Sequence, residues 1–389
     1  MGARVLLTGG GTGGHLYPAL NLADALRRLR PDVELLHVGA RRGIEAEVLP
    51  GRDLPHRLLP VHPIRRSRPW RNWRLALRAP GVAVGARRIG RSFDPDVVVG
   101  TGGYASGPMV LWARLAGRPL ALQEQNAEPG LVTRWMAGSA DQIHLGFPEA
   151  RERLSPGPGA EVHAFGNPVA PPGRGAPTFD WPGEGRVALV VGGSQGARGL
   201  NRRLAADLRE VRAWPTDLTL VWIAGREHAD EVADRVARLP WSDRIRVTPW
   251  IEALGRQLDR VDLAVGRAGA MFVSELAAAG VPALLVPFPS AAGGHQRANA
   301  RALEEAGAAV VREEDALGEG QLWAEASRIL ADDERREAMA DAARERGAPD
   351  AADRVAEALL RLAGGGGTDG SRRRDGAAAG PAAVGEVPR

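Results

Sequence analysis

Short apolar runs rich in Val, Leu and Ile alternate along the chain with longer segments of helical periodicity. This alternation is typical of a parallel β-sheet covered by helices. We predict a first set of strands at 4–8, 33–38, 96–100, 119–123, 142–146 and 161–165. A second set is predicted at 187–191, 218–223, 244–247, 261–265, 282–286 and 308–311. The pattern therefore predicts an α/β protein of two similar domains, which suits a chain of 389 residues.

The segments outside these strands suggest where the domains begin and end. Residues 168–185 contain five prolines and four glycines and are predicted to be a linker between domains at 1–167 and 186–348. We expect residues 349–363 to form a terminal helix that returns to the first domain. Residues 364–389 contain eight glycines and no aromatic residue, so we predict a disordered tail.

The composition narrows the class of protein. Hydrophobic residues make up 44% and charged residues 25% of the chain, as in globular proteins. No apolar run approaches the ~18 residues of a membrane-spanning helix, and the start of the chain leaves no room for a signal-peptide core. We therefore expect a cytoplasmic protein. The absence of Cys excludes disulfides, thiolate metal sites and a cysteine nucleophile.

The basic residues are unevenly distributed. All 51 are Arg, against 47 acidic residues, which gives a net charge of +4. Residues 54–93 contain ten Arg and no carboxylate, and Trp and Leu side chains are interleaved with the Arg. A solvated face, a nucleic-acid patch and a membrane-docking surface each explain such a stretch. No nucleic-acid recognition motif accompanies it, so we predict no nucleic-acid partner.

Glycine-rich turns follow the first strand of each predicted domain, at 9–15 and 192–199. Such turns present backbone N–H groups at the positive end of a helix, where they bind phosphate or another anion. Gly9, Gly11 and Gly14 also match the dinucleotide-binding fingerprint, but the second strand is followed by Arg41 and Arg42 instead of an acid. The sequence therefore allows only an NADP-dependent dehydrogenase. A dehydrogenase also needs only one such turn, which leaves the second turn unexplained. Two turns facing each other across a cleft are the preferred interpretation.

Six motifs resemble the MurG family of glycosyltransferases: GGGTGGHLYPAL (9–20), GTGGYASGP (100–108), EQNAEPG (124–130), GNPV (166–169), GGSQGARGLN (192–201) and SELAAAGVPALLVPFPSAAGGHQRANA (274–300). The resemblance implies the GT-B fold, with two Rossmann-like domains whose parallel sheets face each other across a cleft. It implies that the first domain binds a lipid-linked acceptor and the membrane, and that the second binds a UDP-sugar.

The resemblance also assigns roles to individual residues. The donor UDP-N-acetylglucosamine would meet Ser194 and Gln195 at its diphosphate, Ile251 at the uracil, Glu275 at the ribose, and Gln296, Ala270, Met271, Phe272, Val273 and Ser274 at its phosphates or sugar. From the first domain, the donor sugar would be reached by Thr12, Gly13, Gly14 and Asn126. Tyr104 and Glu124 would line the acceptor pocket, and Glu124 is also a candidate catalytic residue.

Two positions depart from the family pattern. The family commonly has Arg directly after GNPV, as a contact to the donor phosphates, and here that residue is Ala170. Either Arg174 in the linker replaces it, or backbone dipoles alone meet the diphosphate charge. The residue before Glu124, usually His in the family, is Gln123.

The chemistry requires a base for the acceptor hydroxyl and a site for the leaving diphosphate. His15 is the candidate general base, or a residue that positions the hydroxyl, although a His in this place is also a common helix-end hydrogen bonder. Composition alone also allows a purely structural role for several of these residues. Glu275 would then be a solvated helix residue, Ser194 and Gln195 would cap a helix, and Asn126 would be a turn residue. No Asp-x-Asp pair stands beside these loops, so we predict neither a metal ion nor another cofactor.

The resulting hypothesis is an inverting glycosyltransferase that moves N-acetylglucosamine from UDP to undecaprenyl-pyrophosphoryl-N-acetylmuramyl-pentapeptide in peptidoglycan synthesis. Because that acceptor lies in a membrane, the Arg-rich stretch is best interpreted as docking on an anionic membrane surface, which places the protein peripherally at the cytoplasmic face. The alternatives are another UDP-sugar enzyme of this fold, such as an epimerase, or a weakly catalytic membrane-bound scaffold of wall synthesis.

Overall fold

The computed structural model describes residues 2–63, 70, 73–173, 176–192, 197–289 and 291–365. Its first sheet is built from β1 Arg4–Thr8, β2 Glu34–Ala40, β3 His56–Leu59, β4 Val97–Gly100, β5 Leu120–Glu124, β6 Gln142–Leu145 and β7 Glu161–His163. The helices between them are α1 Gly13–Leu29, α2 Glu45–Val48, α3 Trp73–Phe93, α4 Gly103–Leu115 and α5 Leu131–Met136.

The second sheet has six strands, β8 Arg186–Val191, β9 Leu218–Ile223, β10 Ile245–Thr248, β11 Leu263–Gly266, β12 Ala283–Leu285 and β13 Ala309–Val311. Its helices are α6 Arg198–Asp207, α7 Ala229–Val236, α8 Ala270–Ala279, α9 His295–Glu305, α10 Gln321–Ala331 and α11 Asp333–Arg346. A last helix, α12 Ala351–Gly365, follows α11.

All strand pairs in both sheets are parallel. The strand orders are β3-β2-β1-β4-β5-β6-β7 and β10-β9-β8-β11-β12-β13, so the first strand of each domain lies inside its sheet. In such doubly wound sheets, the loops that follow the carboxyl ends of the strands form the binding crevice. The predicted two-domain α/β fold is confirmed.

Each sheet is covered on both faces by apolar helices, which explains why its strands read as nearly continuous hydrophobic runs. In the first domain, one face packs on α3 and α4 and the other on α1. The terminal helix α12 joins this second face, where Val355 and Leu359 are fully buried beside Leu22 and Leu26 of α1. The chain therefore crosses back to the first domain after it has completed the second.

The segment predicted as a linker forms no helix or strand in its described part, 168–173 and 176–185. It is nevertheless packed on the second domain. Trp181 is 7% exposed and donates its indole N–H to Gln257 Oε1 at 3.1 Å, and the same oxygen accepts from the N–H of Thr178 at 2.9 Å. Arg174, considered above as a substitute phosphate contact, lies outside the described residues.

Three local differences separate the structure from the sequence-based prediction. Strand β3 was not predicted, because its residues are only partly buried at the sheet edge and form no apolar run. Helix α1 begins at Gly13, inside the segment 9–15 that we predicted as a turn. Helix α12 extends to Gly365, so residues 364 and 365 are helical, and the rest of the predicted tail, 366–389, lies outside the described residues. Within the described parts, no helix is long and apolar enough to span a bilayer.

Candidate active site

The first glycine turn connects β1 to α1 at the carboxyl edge of the first sheet. Gly10 and Gly11 have φ values of +143° and +88°, which favour glycine, and a Cβ at Gly11 would overlap the ring of Tyr104. Thr12 is the exposed N-cap residue of α1 and makes no side-chain cap, so the N–H groups of Gly13 and Gly14 have no partner among the described residues. The positive end of α1 is therefore available for an anion or a sugar oxygen.

His15 lies in the first turn of α1 and is half-buried. Its Nδ1 is 3.1 Å from the carbonyl oxygen of Thr101 and 3.3 Å from Oε1 of Gln125. Both neighbours are hydrogen-bond acceptors, so Nδ1 carries the proton and donates it, and Nε2 of the neutral ring is left as an acceptor. The Thr101 hydroxyl in turn donates to the carbonyl oxygen of His15 at 2.7 Å. This arrangement suits a base that takes a proton at Nε2.

Glu124, at the end of β5, is 2% exposed and organises the loop that follows it. Its Oε1 accepts from the backbone N–H of Asn126 at 3.0 Å and from Asn126 Nδ2 at 3.2 Å, and its Oε2 accepts from the N–H of Gly130 at 2.9 Å. Both oxygens are thus engaged inside the loop. The contacts are those of a residue that positions Asn126, and the catalytic role of Glu124 stays a prediction.

The two domains meet at this loop. Asn299 of α9 is fully buried; it accepts from the N–H of Ala127 at 2.9 Å and donates to Oδ1 of Asn126 at 3.2 Å. His295 Nδ1 lies 2.7 Å from the carbonyl oxygen of Glu128. A second contact joins Asn167, in the GNPV motif, to Ser274 of α8, with Nδ2 donating to Oγ at 2.8 Å. The carboxyl edges of the two sheets therefore face each other.

Helix α8 supplies the donor-side segment predicted from the sequence. Its N-cap Gly269 has no side chain, and no other described residue caps the first N–H groups of the helix. Ala270, Met271 and Val273 are buried in the second domain. Phe272 and Ser274 are half-buried. The buried members of this segment therefore offer only their backbone to a ligand, through the positive end of the helix.

Glu275 is the next residue of α8 and stands without a hydrogen-bond or ion-pair partner among the described residues. Burial raises its pKa to about 7. A Cβ added to Gly255 would lie 2.9 Å from its Cδ, so Gly255 leaves room for the carboxyl group. A desolvated carboxyl group without a protein donor is poised to accept hydroxyl groups of a ligand.

The remaining predicted donor contacts lie at the edges of this region. Ile251 is 3% exposed, and no described residue hydrogen-bonds to its backbone N–H or carbonyl. Gln296, on α9, accepts from the N–H of Phe288 at 2.9 Å. Ser194 and Gln195 lie outside the described residues, and the structure shows only that their segment joins β8 to α6.

The structure also reveals residues that the sequence did not point to. Tyr17 of α1 lies within reach of the second domain: burial raises the pKa of its hydroxyl, the charges of Arg52 and Arg226 oppose that rise, and those of Glu275 and Glu252 add to it. Glu45 is fully buried beside the first glycine turn. In the sequence, Asn299 is one of several polar residues that follow the last predicted glycine-containing segment, with nothing to single it out. No sequence pattern distinguishes Glu45 or Tyr17 from ordinary helix residues.

Arg267 is a cation near the proposed donor site, but its guanidinium group is already bound to protein carbonyl and carboxylate groups. It is 6% exposed, donates to the carbonyl oxygens of Val286 and Pro287 at 3.1 and 3.3 Å, and pairs with Glu314 at 2.8 Å. Within the described chain, no group of three or more His, Cys, Asp or Glu side chains is arranged to hold a metal ion. That the reaction needs no metal ion stays a prediction.

Comparison with known proteins identifies the family. The model of the glycosyltransferase family 28 N-terminal domain matches residues 5–145, and that of the C-terminal domain matches residues 187–355. The chain belongs to glycosyltransferase family 28. The first match spans β1 to β6, and the second spans all six strands of the second sheet.

Relatives within family 28 are similar along nearly their whole length. A protein of Salinibacter ruber is 39% identical over 366 residues, which is 92% of this chain and 97% of the relative. One of Moorella thermoacetica is 39% identical over 374 residues, 92% of this chain and 98% of the relative. Both are named UDP-N-acetylglucosamine-N-acetylmuramyl-(pentapeptide) pyrophosphoryl-undecaprenol N-acetylglucosamine transferase.

A solved structure has the same fold. The crystal structure of MurG from Acinetobacter baumannii superimposes with a TM-score of 0.71 and 29% identity, over 92% of this chain and 99% of that chain. The expected GT-B fold and the resemblance stated from the motifs are confirmed.

Proposed function

We propose that this glycosyltransferase moves N-acetylglucosamine from UDP-N-acetylglucosamine to undecaprenyl-pyrophosphoryl-N-acetylmuramyl-pentapeptide, in peptidoglycan synthesis. The observation that carries the proposal is the pairing across one cleft of two helix N-termini, one on each domain, that no described side chain caps, with His15 at the first of them. The names of the relatives supply the identity of donor and acceptor. No observation favours an epimerase or a weakly catalytic scaffold.

The donor is proposed to bind to the second domain. The N-terminus of α8 offers N–H groups to the diphosphate, and the sequence predicts the same of the glycine-rich segment before α6, which lies partly outside the described residues. Glu275 accepts the ribose hydroxyls, and the backbone of Ile251 pairs with the uracil. Gln296 adds a contact at the phosphates or sugar. Ala170 carries no charge and Arg267 is paired with Glu314, so helix dipoles provide most of the stabilisation that the described residues offer to the leaving UDP.

The acceptor is proposed to enter from the first domain, beside Tyr104 and Glu124, while Thr12, Gly13 and Gly14 of the same domain reach the donor sugar. Its hydroxyl oxygen attacks the anomeric carbon of the donor sugar, and the bond from that carbon to the diphosphate oxygen breaks with inversion. The hydroxyl proton passes to His15 Nε2, which is free because Nδ1 donates to Thr101 and Gln125. The diphosphate keeps the electron pair of the broken bond and leaves as UDP.

The first domain is further proposed to dock on an anionic membrane. Trp73, Leu77 and Val84 are 59%, 72% and 68% exposed and follow one another along one face of α3. Neighbouring large apolar side chains on α4 and α5 are also exposed: Leu111, Leu115 and Trp135. Arg78, Arg87 and Arg88 of α3 are exposed beside them. Apolar side chains surrounded by Arg suit reversible binding to anionic headgroups.

The proposal is tested by a transfer assay with radiolabelled UDP-N-acetylglucosamine and a short-chain analogue of the lipid acceptor. Label is expected in the lipid product, and its formation should require both substrates. Release of UDP without an acceptor would instead indicate a hydrolase or an epimerase. A protein that binds both substrates and transfers no label would favour the scaffold interpretation.

A further inference from the structure

Glu45 is a fully buried carboxylate at the start of α2, directly beside the first glycine turn. Its Oε2 accepts from the backbone N–H of Gly11 and its Oε1 from the backbone N–H of Ala40, both at 2.9 Å. Among the described residues it has no Arg or His partner. Two backbone donors therefore provide the hydrogen bonds that a buried carboxylate requires.

The backbone around Glu45 is shaped to accept this side chain. A Cβ at Gly10 or at Gly43 would overlap the carboxylate, and a Cβ at Gly39 would lie 2.8 Å from its Cγ. Three glycines, from the first turn and from both sides of the connection after β2, thus enclose one side chain. Such close approach to a buried charged group indicates that the turn and the glutamate adopt a single joint arrangement.

This arrangement sets the direction of the N–H groups in the turn. The N–H of Gly11 points inward to Glu45, and that of Gly10 lies 3.3 Å from the carbonyl oxygen of Gly102. The N–H groups of Gly13 and Gly14, which no described residue accepts, are then left at the cleft together with His15. A shift of the turn would move all three, although Glu45 itself cannot touch a substrate in the cleft.

We propose that Glu45 is a positioning residue that holds the first glycine turn in the geometry needed for glycosyl transfer. The inference rests on the proposed function, since it assigns Glu45 a part in that reaction. It also explains a feature of the fold that the reaction alone does not explain, namely three glycines around one buried carboxylate. Burial and the nearby charge of Glu45 both raise the pKa of Tyr104, whose ring packs on Gly11.

The test compares Glu45→Gln with Glu47→Gln, an exposed glutamate in the same helix. The amide of Glu45→Gln has nearly the same shape, but its NH₂ group must face the N–H of either Gly11 or Ala40. Hydrogen exchange of peptides covering residues 9–16 is measured by mass spectrometry. We expect this segment to exchange roughly tenfold faster in Glu45→Gln, while peptides of the second sheet and the whole Glu47→Gln variant exchange as the parent does.

The second measurement separates positioning from folding. In Glu45→Gln, kcat is expected to fall about 10- to 100-fold, because small misplacements of reacting groups have effects of this size. The Kd for UDP should stay within about threefold, because the nucleotide is held by the other domain. Glu47→Gln should match the parent in every parameter.

Three outcomes would overturn the inference. They are unchanged exchange at 9–16, an unchanged kcat despite faster exchange there, and a joint loss of UDP binding with faster exchange throughout both domains. A parent protein that transfers no sugar would contradict the proposed function instead. In that case unchanged exchange at 9–16 still overturns the part assigned to Glu45, and faster exchange confined to 9–16 supports its hold on the turn.

Discussion

His15 and Glu275 stand on opposite domains and are assigned different tasks. The ring of His15 is oriented by two acceptors at Nδ1, which leaves Nε2 for the acceptor proton. Glu275 has no such partner among the residues that the structure describes, and burial raises its pKa to about 7. The first residue should therefore act on the rate of transfer, and the second on donor binding.

His15→Ala should lower kcat by a factor of about 10² to 10⁴, the usual contribution of a general base. The KM for UDP-N-acetylglucosamine should change less than about threefold, because no donor contact is lost. Steady-state kinetics with both substrates measures this separation. His56→Ala serves as the control, since His56 lies on the edge strand β3 and bonds to the carbonyl oxygen of Leu54. Unchanged turnover in His15→Ala would remove this residue from the chemistry.

Glu275 makes donor binding depend on pH. Ribose hydroxyls donate hydrogen bonds, so UDP favours the ionised carboxylate, which is depleted as the pH falls through about 7. Calorimetry should show UDP affinity weakening below pH 7, toward a limit of about tenfold per pH unit. Glu275→Gln should bind UDP more weakly at pH 8, by about 1–3 kcal/mol, and its affinity should be nearly independent of pH.

The same shift affects folding in the opposite direction. The pKa of Glu275 is raised above the unfolded value of 4.5, so the folded state binds more protons and the contribution to stability is lost as pH rises from 4.5 through 7. Glu275→Gln should therefore unfold at a higher temperature than the parent above pH 7. The control Glu305→Gln, on an exposed part of α9, should follow the parent in binding and in stability. A parent affinity that does not change between pH 6 and 8 would contradict this account.

At the scale of secondary-structure elements, helix α3 has apolar side chains both on its buried face and on its solvent-exposed face. Its buried face packs Ala86, Ile89 and Phe93 against the first sheet, and the other face presents Trp73, Leu77 and Val84 to solvent. Apolar side chains on both faces are unusual for a surface helix and mark an interaction surface.

The triple variant Trp73→Ser, Leu77→Ser and Leu115→Ser should bind anionic vesicles roughly 100-fold more weakly than the parent, since it loses most of the apolar insertion. Leu29→Ser changes another exposed leucine, outside this surface, and should bind like the parent. Vesicle co-sedimentation at several salt concentrations separates the contribution of apolar insertion from that of the Arg charges, because salt screens only the charges. UDP affinity should be unaffected. Equal co-sedimentation of parent and triple variant would mean that the docking surface lies elsewhere.

The sequence predicted strands and turns well where a single local pattern decides the structure. Apolar runs identified every buried strand. Strand β3 was not predicted, because an edge strand needs no continuous apolar run. The first glycine turn was predicted from its motif, and the resemblance to a family singled out Glu275, whose role stays a prediction. Glu45, in contrast, owes its burial to backbone groups of Gly11 and Ala40 brought together only by the folded sheet. Tertiary contacts of that kind leave no periodic signal in a sequence.

At the scale of the whole molecule, the two domains are joined by two chain crossings that lie side by side. A Cβ at Gly166, just before the linker, would lie 2.5 Å from the Cβ of Ala348, just after α11. Adjacent crossings allow one domain to rotate about a common hinge while the cleft opens and closes. The contacts of Asn299 with the loop at 126–127 hold the domains in the arrangement described here.

Asn299→Ala should shift the molecule toward open arrangements, because the N–H of Ala127 loses its partner at a cost of about 1–3 kcal/mol. Small-angle scattering should show a larger radius of gyration without ligand and a larger decrease upon addition of UDP-N-acetylglucosamine. Arg301→Ala, on the exposed side of the same helix, is the control and should scatter like the parent. Superimposable profiles of all three proteins, with and without donor, would count against hinge closure.

The return of α12 to the first domain has a consequence for how the protein is made. Domains usually fold in the order in which they leave the ribosome. Here the first domain emerges first, but the apolar face of α1 stays uncovered until α12 has been synthesised, since Val355 and Leu359 complete that core. The second domain contains all of its own sheet and helices and is complete earlier. Translation therefore finishes the two domains in the reverse of the order in which it begins them.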